Sequence, residues 1–173
     1  MTSPFIFDVT GLLHGSGMPE QRQKTGPSPI RIGPEMIAIP EGGEVTVDAV
    51  LTPLGEGIMA DAQVHATLQG ECSRCLRPLT PAHDLHVNAV FAAHKDFVTR
   101  DESEDDEDDE LPMIEDDKID LLQSVIDEAG LSLPFNPVCE GGCPEDSDVP
   151  APDGVSGEEE RIDPRWAGLE KFK

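Results

Sequence analysis

The sequence predicts an α+β domain: an antiparallel β-sheet or partial β-barrel with one packed amphipathic helix and a four-cysteine knuckle, plus an acidic disordered linker. Three observations lead to it. Apolar and polar residues alternate in the first half of the chain, apolar residues recur at helical spacing after residue 117, and four cysteines form two close pairs. The 173 residues, 37% of them hydrophobic, suffice for one modest core.

The strands are predicted from segments that carry one apolar and one polar face, as in an antiparallel sheet. Phe5, Phe7 and Val9 form a short first strand. Longer alternations follow, and they bring these apolar residues to one face: Val45, Val47, Ala49 and Leu51; Ile58, Ala60, Ala62, Val64, Ala66 and Leu68; Leu85, Val87, Ala89 and Phe91. Residues 1–95 are therefore predicted to be a β-rich core.

Two connections in this core are predicted from turn-forming residues. Residues 36–40 are expected to form a strand that joins the strand at 45–51 through Pro40-Glu41-Gly42-Gly43, a strand-turn-strand signal. Residues 15–33 are rich in Gly, Pro and Ser, and we expect an exposed loop there. That loop carries three cations that are candidates for contact with RNA or another partner: Arg22, Lys24 and Arg31.

The negative charge lies mainly in the second half of the chain. The net charge is −24, and residues 101–173 hold 25 acidic and 5 basic side chains. Residues 101–110 contain nine carboxylates and one serine, so residues 96–117 are predicted to be an acidic disordered linker. This charge argues against a nucleic-acid reader driven by its global field, because phosphate binding depends on Lys and Arg.

After the linker the period becomes helical, and a helix is predicted over residues 118–129. Asp117 is the expected N-cap and Gly130 the expected end. Residues 118–145, with the second cysteine pair, are assigned to the same domain as the β-rich core. Residues 146–173 are predicted to be a polar linker and a short C-terminal helix, in which Trp166, Leu169 and Phe172 share one side.

The cysteines form C-S-R-C at Cys72 and Cys75 and C-E-G-G-C at Cys139 and Cys143. Two such loops brought together supply the four soft ligands that a structural Zn²⁺ takes, with no open position for a substrate. Redox disulfides, or two unrelated thiol pairs, are the alternatives. Arg74 and Arg77 flank the first pair, where they either offset the charge of a zinc tetrathiolate or contact a phosphate.

Other function classes find little support. The chain starts without a basic segment followed by an apolar run, and it has no stretch of about 18 apolar residues, so we expect a cytoplasmic protein without a membrane partner. It has no nucleophilic serine motif, Gly-rich phosphate loop or paired-histidine zinc motif. The expectation is therefore a non-enzymatic protein with no small-molecule substrate.

The order C-S-R-C-L-R-P, an acidic stretch, I-D-L-L, L-S-L-P-F-N-P-V-C and D-P-R-W-A-G-L resembles the YceD family, also called domain of unknown function 177 or the large ribosomal RNA subunit accumulation protein. The resemblance spans about residues 30–172. Relatives often continue the second pair with G-L-C, whereas here Cys143 is followed by P-E-D-S-D, which leaves its register against the family open.

The resemblance implies a factor in 23S ribosomal RNA accumulation and large-subunit biogenesis. Its expected partners are a large-subunit precursor, 23S rRNA or a basic ribosomal protein, which residues 101–110 would attract. Two alternatives remain: a zinc- or redox-sensing regulator, and an acidic protein chaperone or nucleic-acid mimic unconnected with ribosomes.

Overall fold

The computed structural model describes residues 3–15, 17–94 and 111–143. These residues form nine strands and two helices, in an α+β arrangement of open antiparallel sheets. In chain order the elements are β1 (Ile6–Asp8), α1 (Thr10–Leu13), β2 (Glu20–Pro27), β3 (Ile37–Ala38), β4 (Glu44–Pro53), β5 (Gly57–Thr67), β6 (Gln69–Glu71), β7 (Pro78–Leu79), β8 (Ala82–Ala92), β9 (Lys118–Asp120) and α2 (Leu122–Ser132).

The largest sheet has four strands in the order β2-β4-β5-β8, all antiparallel. Val47 lies opposite Val64, which lies opposite Leu85, so the apolar faces of the three predicted long strands coincide. All three side chains are buried. The predicted alternation is thereby confirmed, because a period of two directs every second side chain to the same face.

The core lies between this sheet and α2, which packs against β8. Val125 and Ala129 on α2 are fully buried, and Phe5 and Phe7 from the N-terminal segment complete the apolar interior. Phe7 lies opposite Ile119 in the two-stranded β1-β9 sheet. A single hydrophobic cluster therefore connects the start of the chain, the large sheet and the residues after position 117.

The predicted exposed loop at residues 15–33 is wrong in its middle, since Glu20–Pro27 forms β2 and pairs with β4 over eight residues. Backbone pairing needs no apolar side chain, so the hydrophobic periodicity of the sequence does not indicate this edge strand. Arg22 and Lys24 lie opposite Ala49 and Val47, on the face that is buried in β4. Their aliphatic stems take the place of apolar residues at the edge of the core.

The predicted hairpin between residues 36–40 and 45–51 is also wrong in its pairing. The turn forms, with the Gly43 N–H donating to the Pro40 carbonyl at 3.0 Å, but β3 pairs with β6 in a three-stranded β3-β6-β7 sheet. Gly70 in β6 permits this approach, because a Cβ there would lie 2.3 Å from the Met36 oxygen. A side chain at residue 70 would therefore not fit between these two strands.

The helix begins later than predicted. Residues 118–120 form β9 against β1, and α2 starts at Leu122, whose N–H donates to the Asp120 carboxylate at 2.9 Å. Asp117 is therefore not the N-cap; its carbonyl accepts from the Val9 N–H at 2.7 Å. The helix also continues through Gly130 to Ser132. Residues 118–120 form a strand because the backbone of β1 provides hydrogen-bonding partners for them.

The linker assigned to residues 96–117 is described only from residue 111. There the chain lies along the end of β8, where the Ala92 N–H donates to the Pro112 carbonyl at 2.9 Å and the Ile114 N–H to the Ala92 carbonyl at 2.8 Å. The acidic run and the segment assigned to residues 146–173 lie outside the described residues. No helix in the described ranges is long and apolar enough to cross a membrane.

Candidate metal centre

The first cysteine pair lies in the hairpin loop between β6 and β7. The Cys72 N–H donates to the Arg77 carbonyl at 2.8 Å, and the Leu76 N–H donates back to the Cys72 carbonyl at 2.9 Å. Leu76 has a φ of 57°, in the left-handed region. These features close a tight loop in which Cys72 and Cys75 both direct their sulfurs to the second cysteine pair.

The second pair follows α2, in the extended segment that begins at Leu133. The Ser73 N–H of the first loop donates to the Pro137 carbonyl at 2.7 Å, which joins the two loops through backbone atoms. Gly141 and Gly142 have φ values of 77° and 94° between the two cysteines. Glycine reaches these angles without strain, so the chain turns back within three residues.

The four sulfurs lie together, all within 4.8 Å of one another. The sulfurs of Cys72 and Cys143 are 3.7 Å apart, and those of Cys75 and Cys139 are 3.5 Å apart. A tetrahedral zinc with Zn–S bonds of about 2.3 Å places its sulfurs about 3.8 Å apart, whereas a disulfide requires about 2.05 Å. The residues fit a metal ion, and all four thiols are free.

The electrostatics of the cluster also favour a cation. The backbone N–H of Cys75 is the main cause that lowers the pKa of the Cys72 thiol to about 6. Next to that thiolate, a hydrogen bond with Cys75 raises the pKa of Cys139 to about 12, and burial raises the pKa of Cys143. Four adjacent thiolates repel one another, so a bound metal is needed to hold all four deprotonated.

The predicted cations fall into two groups. Arg74 and Arg77 are exposed in the first cysteine loop, together with Leu76, which is 69% exposed. Neither guanidinium has a hydrogen-bonding partner within the described ranges. The loop therefore presents two positive charges to solvent beside the sulfurs.

The side chains of the other three cations bind groups of the protein itself. Arg31 donates to the carbonyls of Pro34 and Glu35 at 2.6 and 2.7 Å. Arg22 pairs with Glu20 at 2.5 Å and bonds the Asp8 carbonyl. Lys24 donates to the Ile6 carbonyl and lies 5.3 Å from the centre of the Phe7 ring. Their predicted contact with a partner stays a prediction.

Two histidines lie on the outer face of the large sheet, where each is close to an acidic side chain. His65 lies between Asp84, at 2.7 Å, and Asp48, at 3.5 Å, while His86 lies 3.1 Å from Asp61. All are at least partly exposed. The pattern is a solvated polar network of the kind that cross-strand pairs form.

Sequence reasoning missed an apolar surface beside the second cysteine loop. Phe135 is 70% exposed and Val138 52% exposed, and both lie in L-P-F-N-P-V, which follows neither helical nor strand periodicity. Apolar residues without a period are the signal that could have indicated an exposed contact surface.

Comparison with known proteins finds relatives that match nearly the whole chain. Uncharacterized proteins of Mycobacterium tuberculosis and Mycobacterium leprae are 37% and 34% identical; each match covers 98% of this chain, and 81% and 77% of the relative. The uncharacterized protein YlbN of Bacillus subtilis is 29% identical over 61% of this chain and 63% of its own. No solved structure matches. The model of the family "Large ribosomal RNA subunit accumulation protein YceD" matches residues 60–173, and the chain therefore belongs to the YceD family.

Proposed function

We propose that this protein is a cytoplasmic, non-enzymatic factor that supports 23S rRNA accumulation and large ribosomal subunit biogenesis. It would do so by binding a pre-ribosomal particle, its rRNA or a ribosomal protein. The observation that carries the proposal is the family match over residues 60–173, whose description names large ribosomal RNA subunit accumulation.

A structural Zn²⁺ on Cys72, Cys75, Cys139 and Cys143 is part of this proposal. It is supported by the sulfur separations, which approach the edge of a zinc tetrahedron. Such an ion would connect the β6–β7 hairpin to the segment after α2, across 63 residues of intervening chain. With four thiolate ligands it has no position for a substrate or an activated water, in line with a non-enzymatic role.

The binding surface that we propose comprises Arg74, Leu76 and Arg77. Guanidinium groups bind phosphate oxygens in a bidentate manner, and both arginines are free to do so in the described structure. A local pair of cations can act within a chain of net charge −24 because charges farther away than about 8 Å are largely screened at physiological salt.

The acidic run at residues 101–110 is proposed to contribute in a different way. Nine carboxylates in ten residues would attract a protein rich in Arg and Lys before contact. This part of the proposal rests on charge alone.

Co-sedimentation tests the function most directly. We expect the protein to travel in sucrose gradients with large-subunit precursors, and cells lacking it to accumulate less 23S rRNA. The double variant Arg74→Glu, Arg77→Glu should remove most of this co-sedimentation, while Lys118→Glu, an exposed cation on β9, should not. Free protein at the top of every gradient, with normal 23S rRNA in the deletion strain, would overturn the proposal.

A zinc- or redox-sensing regulator is the second candidate. It is favoured by the partial exposure of Cys75, Cys139 and Cys143, which would let an oxidant or chelator reach the sulfurs. A sensor would change its partner binding on loss of the metal, whereas a structural centre would change only stability. A third candidate is an acidic chaperone or nucleic-acid mimic. Charge reversal of residues 101–110 would abolish binding by such a protein, whereas a factor that binds through its folded domain would keep most of its binding.

A further inference from the structure

An open apolar groove lies beside the second cysteine loop. Its volume is about 590 Å³, within the range of pockets that accept large side chains or small ligands. One wall comes from the β7–β8 connection and the other from the segment after α2. The lining residues that matter here are Leu68, Leu79, Ala82, Leu133, Val138 and Glu140.

The groove is lined mainly by apolar side chains, with Thr80, His83, Asn136 and Glu140 as its polar members, and it is open to solvent. Leu68 and Leu133 form its buried floor, while Ala82 and Val138 are exposed at the rim. Pro78, Pro81, Pro134 and Pro137 also contribute to the walls and reduce the number of backbone donors that need water. An apolar side chain that entered this groove would lose its hydration at little polar cost.

The chain itself contains a segment suited to fill the groove. Residues 162–173, I-D-P-R-W-A-G-L-E-K-F-K, place Trp166, Leu169 and Phe172 at steps of three, one side of a short helix. Trp166 is the only tryptophan of the protein. In the 18 residues that precede this segment, by contrast, the only apolar side chains besides prolines are Val149, Ala151 and Val155.

Reach and charge both favour this occupant. Trp166 is 23 residues from Cys143, so the chain between them can span up to about 76 Å. Glu140, which lines the groove, is only three residues before Cys143. Tethering at this length gives an effective concentration in the millimolar range. Residues 162–173 carry three basic and two acidic groups, so they approach the Glu140 carboxylate with net positive charge.

We propose that residues 162–173 dock in the groove of their own chain, with Trp166 against Leu79 and Val138. The proposal is independent of the ribosomal role, since it rests on the groove and on the sequence of the C-terminal segment. Docking would cover the apolar surface beside the cysteine cluster and bring the end of the chain to it.

The single tryptophan makes the test direct. In the full-length protein, Trp166 fluorescence should be blue-shifted and protected from acrylamide quenching relative to a peptide of residues 162–173. Ala82→Glu at the groove rim should shift the emission to that of the peptide and raise quenching to the same level. Leu131→Glu is the matched control, because Leu131 is 86% exposed on α2 and does not line the groove.

Val138→Glu is a second groove variant, and far-UV circular dichroism checks that both variants keep the fold. Peptide-like emission in the full-length protein would overturn the proposal, as would burial that survives both groove variants. A blue shift that disappears on dilution would overturn it too, because it would assign the groove to a second copy of the chain.

Discussion

The backbone N–H of Ser73 donates to the carbonyl of Pro137 at 2.7 Å, and this bond joins the two cysteine loops without using any sulfur. Pro137 is buried, so the bond is shielded from water. The bond thus holds the two loops side by side independently of the sulfurs. A ligand set that is organised in advance loses less entropy on binding, which supports tight metal affinity.

Replacing one cysteine should release the metal and destabilise the protein. We expect one zinc per chain in the native protein by mass spectrometry, and none in Cys72→Ser or Cys139→Ser. At free zinc a thousandfold above Kd, the loss amounts to about 4 kcal/mol in the free energy of unfolding. Ser73→Ala, which keeps the backbone N–H, is the control and should retain the zinc. Full zinc content in both cysteine variants would contradict the assignment.

The metal-free protein should be most stable near pH 9. The pKa of Cys72 is lowered from 9.0 to about 6 by folding, so its contribution is complete above pH 9 and is lost as the pH falls towards 6. The pKa of Cys139 is raised from 9.0 to about 12, so it favours the folded state below pH 9 and lowers stability as the pH rises from 9 to 12. Urea denaturation in a chelator at pH 6, 9 and 11 measures this curve; a flat profile would refute it.

Lys24→Met should lower the free energy of unfolding by about 2 kcal/mol, because the variant keeps the stem but loses a charged hydrogen bond to Ile6 and the cation–π contact with Phe7. Urea denaturation gives the difference. Gln21→Met, an exposed position on the same strand, is the matched control and should change stability by less than about 0.5 kcal/mol. If the two variants changed the free energy of unfolding equally, the hydrogen bond and the cation–π contact of Lys24 would contribute nothing to stability.

Gly70→Ala should destabilise the protein by about 1 to 3 kcal/mol, since the new methyl group would meet the Met36 oxygen and the backbone of Ile37. Zinc affinity should fall with it, because β6 leads directly into Cys72. Gly11→Ala is the control, as nothing lies within 4 Å of its Cβ position. Thermal unfolding and competition with a zinc-binding dye measure both effects, and unchanged zinc affinity would separate β6 from the metal site.

The long strands were predictable because β4, β5 and β8 each bury one continuous face. Burial of one face places an apolar residue at every second position, and this alternation is visible in the sequence. Strand β2 was not predictable, since Arg22 and Lys24 occupy its inward positions and only its backbone pairs with β4. The partner of β3 was not predictable either, because it depends on the close approach at Gly70. A local turn signal carries no information about such distant pairing.

For the candidate site, the convergence of the four cysteines could be predicted because thiol spacing is a local chemical pattern. The hydrogen bond between Ser73 and Pro137 could not, since it joins backbone atoms 64 residues apart. The groove is likewise assembled from four separate stretches of chain, and none of them indicates a pocket by itself. Chemistry that is local in sequence is therefore easier to predict than surfaces built by tertiary contact.

The side chains of Lys24 and Arg22 also affect how molecules of this protein meet one another. The Phe5 and Val9 backbones bond to the β9 side of β1, so the Ile6 and Asp8 carbonyls face the opposite way, where the two cations bind them. An uncovered strand edge of this kind recruits strands from neighbouring molecules and starts aggregation. Because Lys24 and Arg22 cover this edge with charge, we expect the N-terminal strand to be a poor template for self-association.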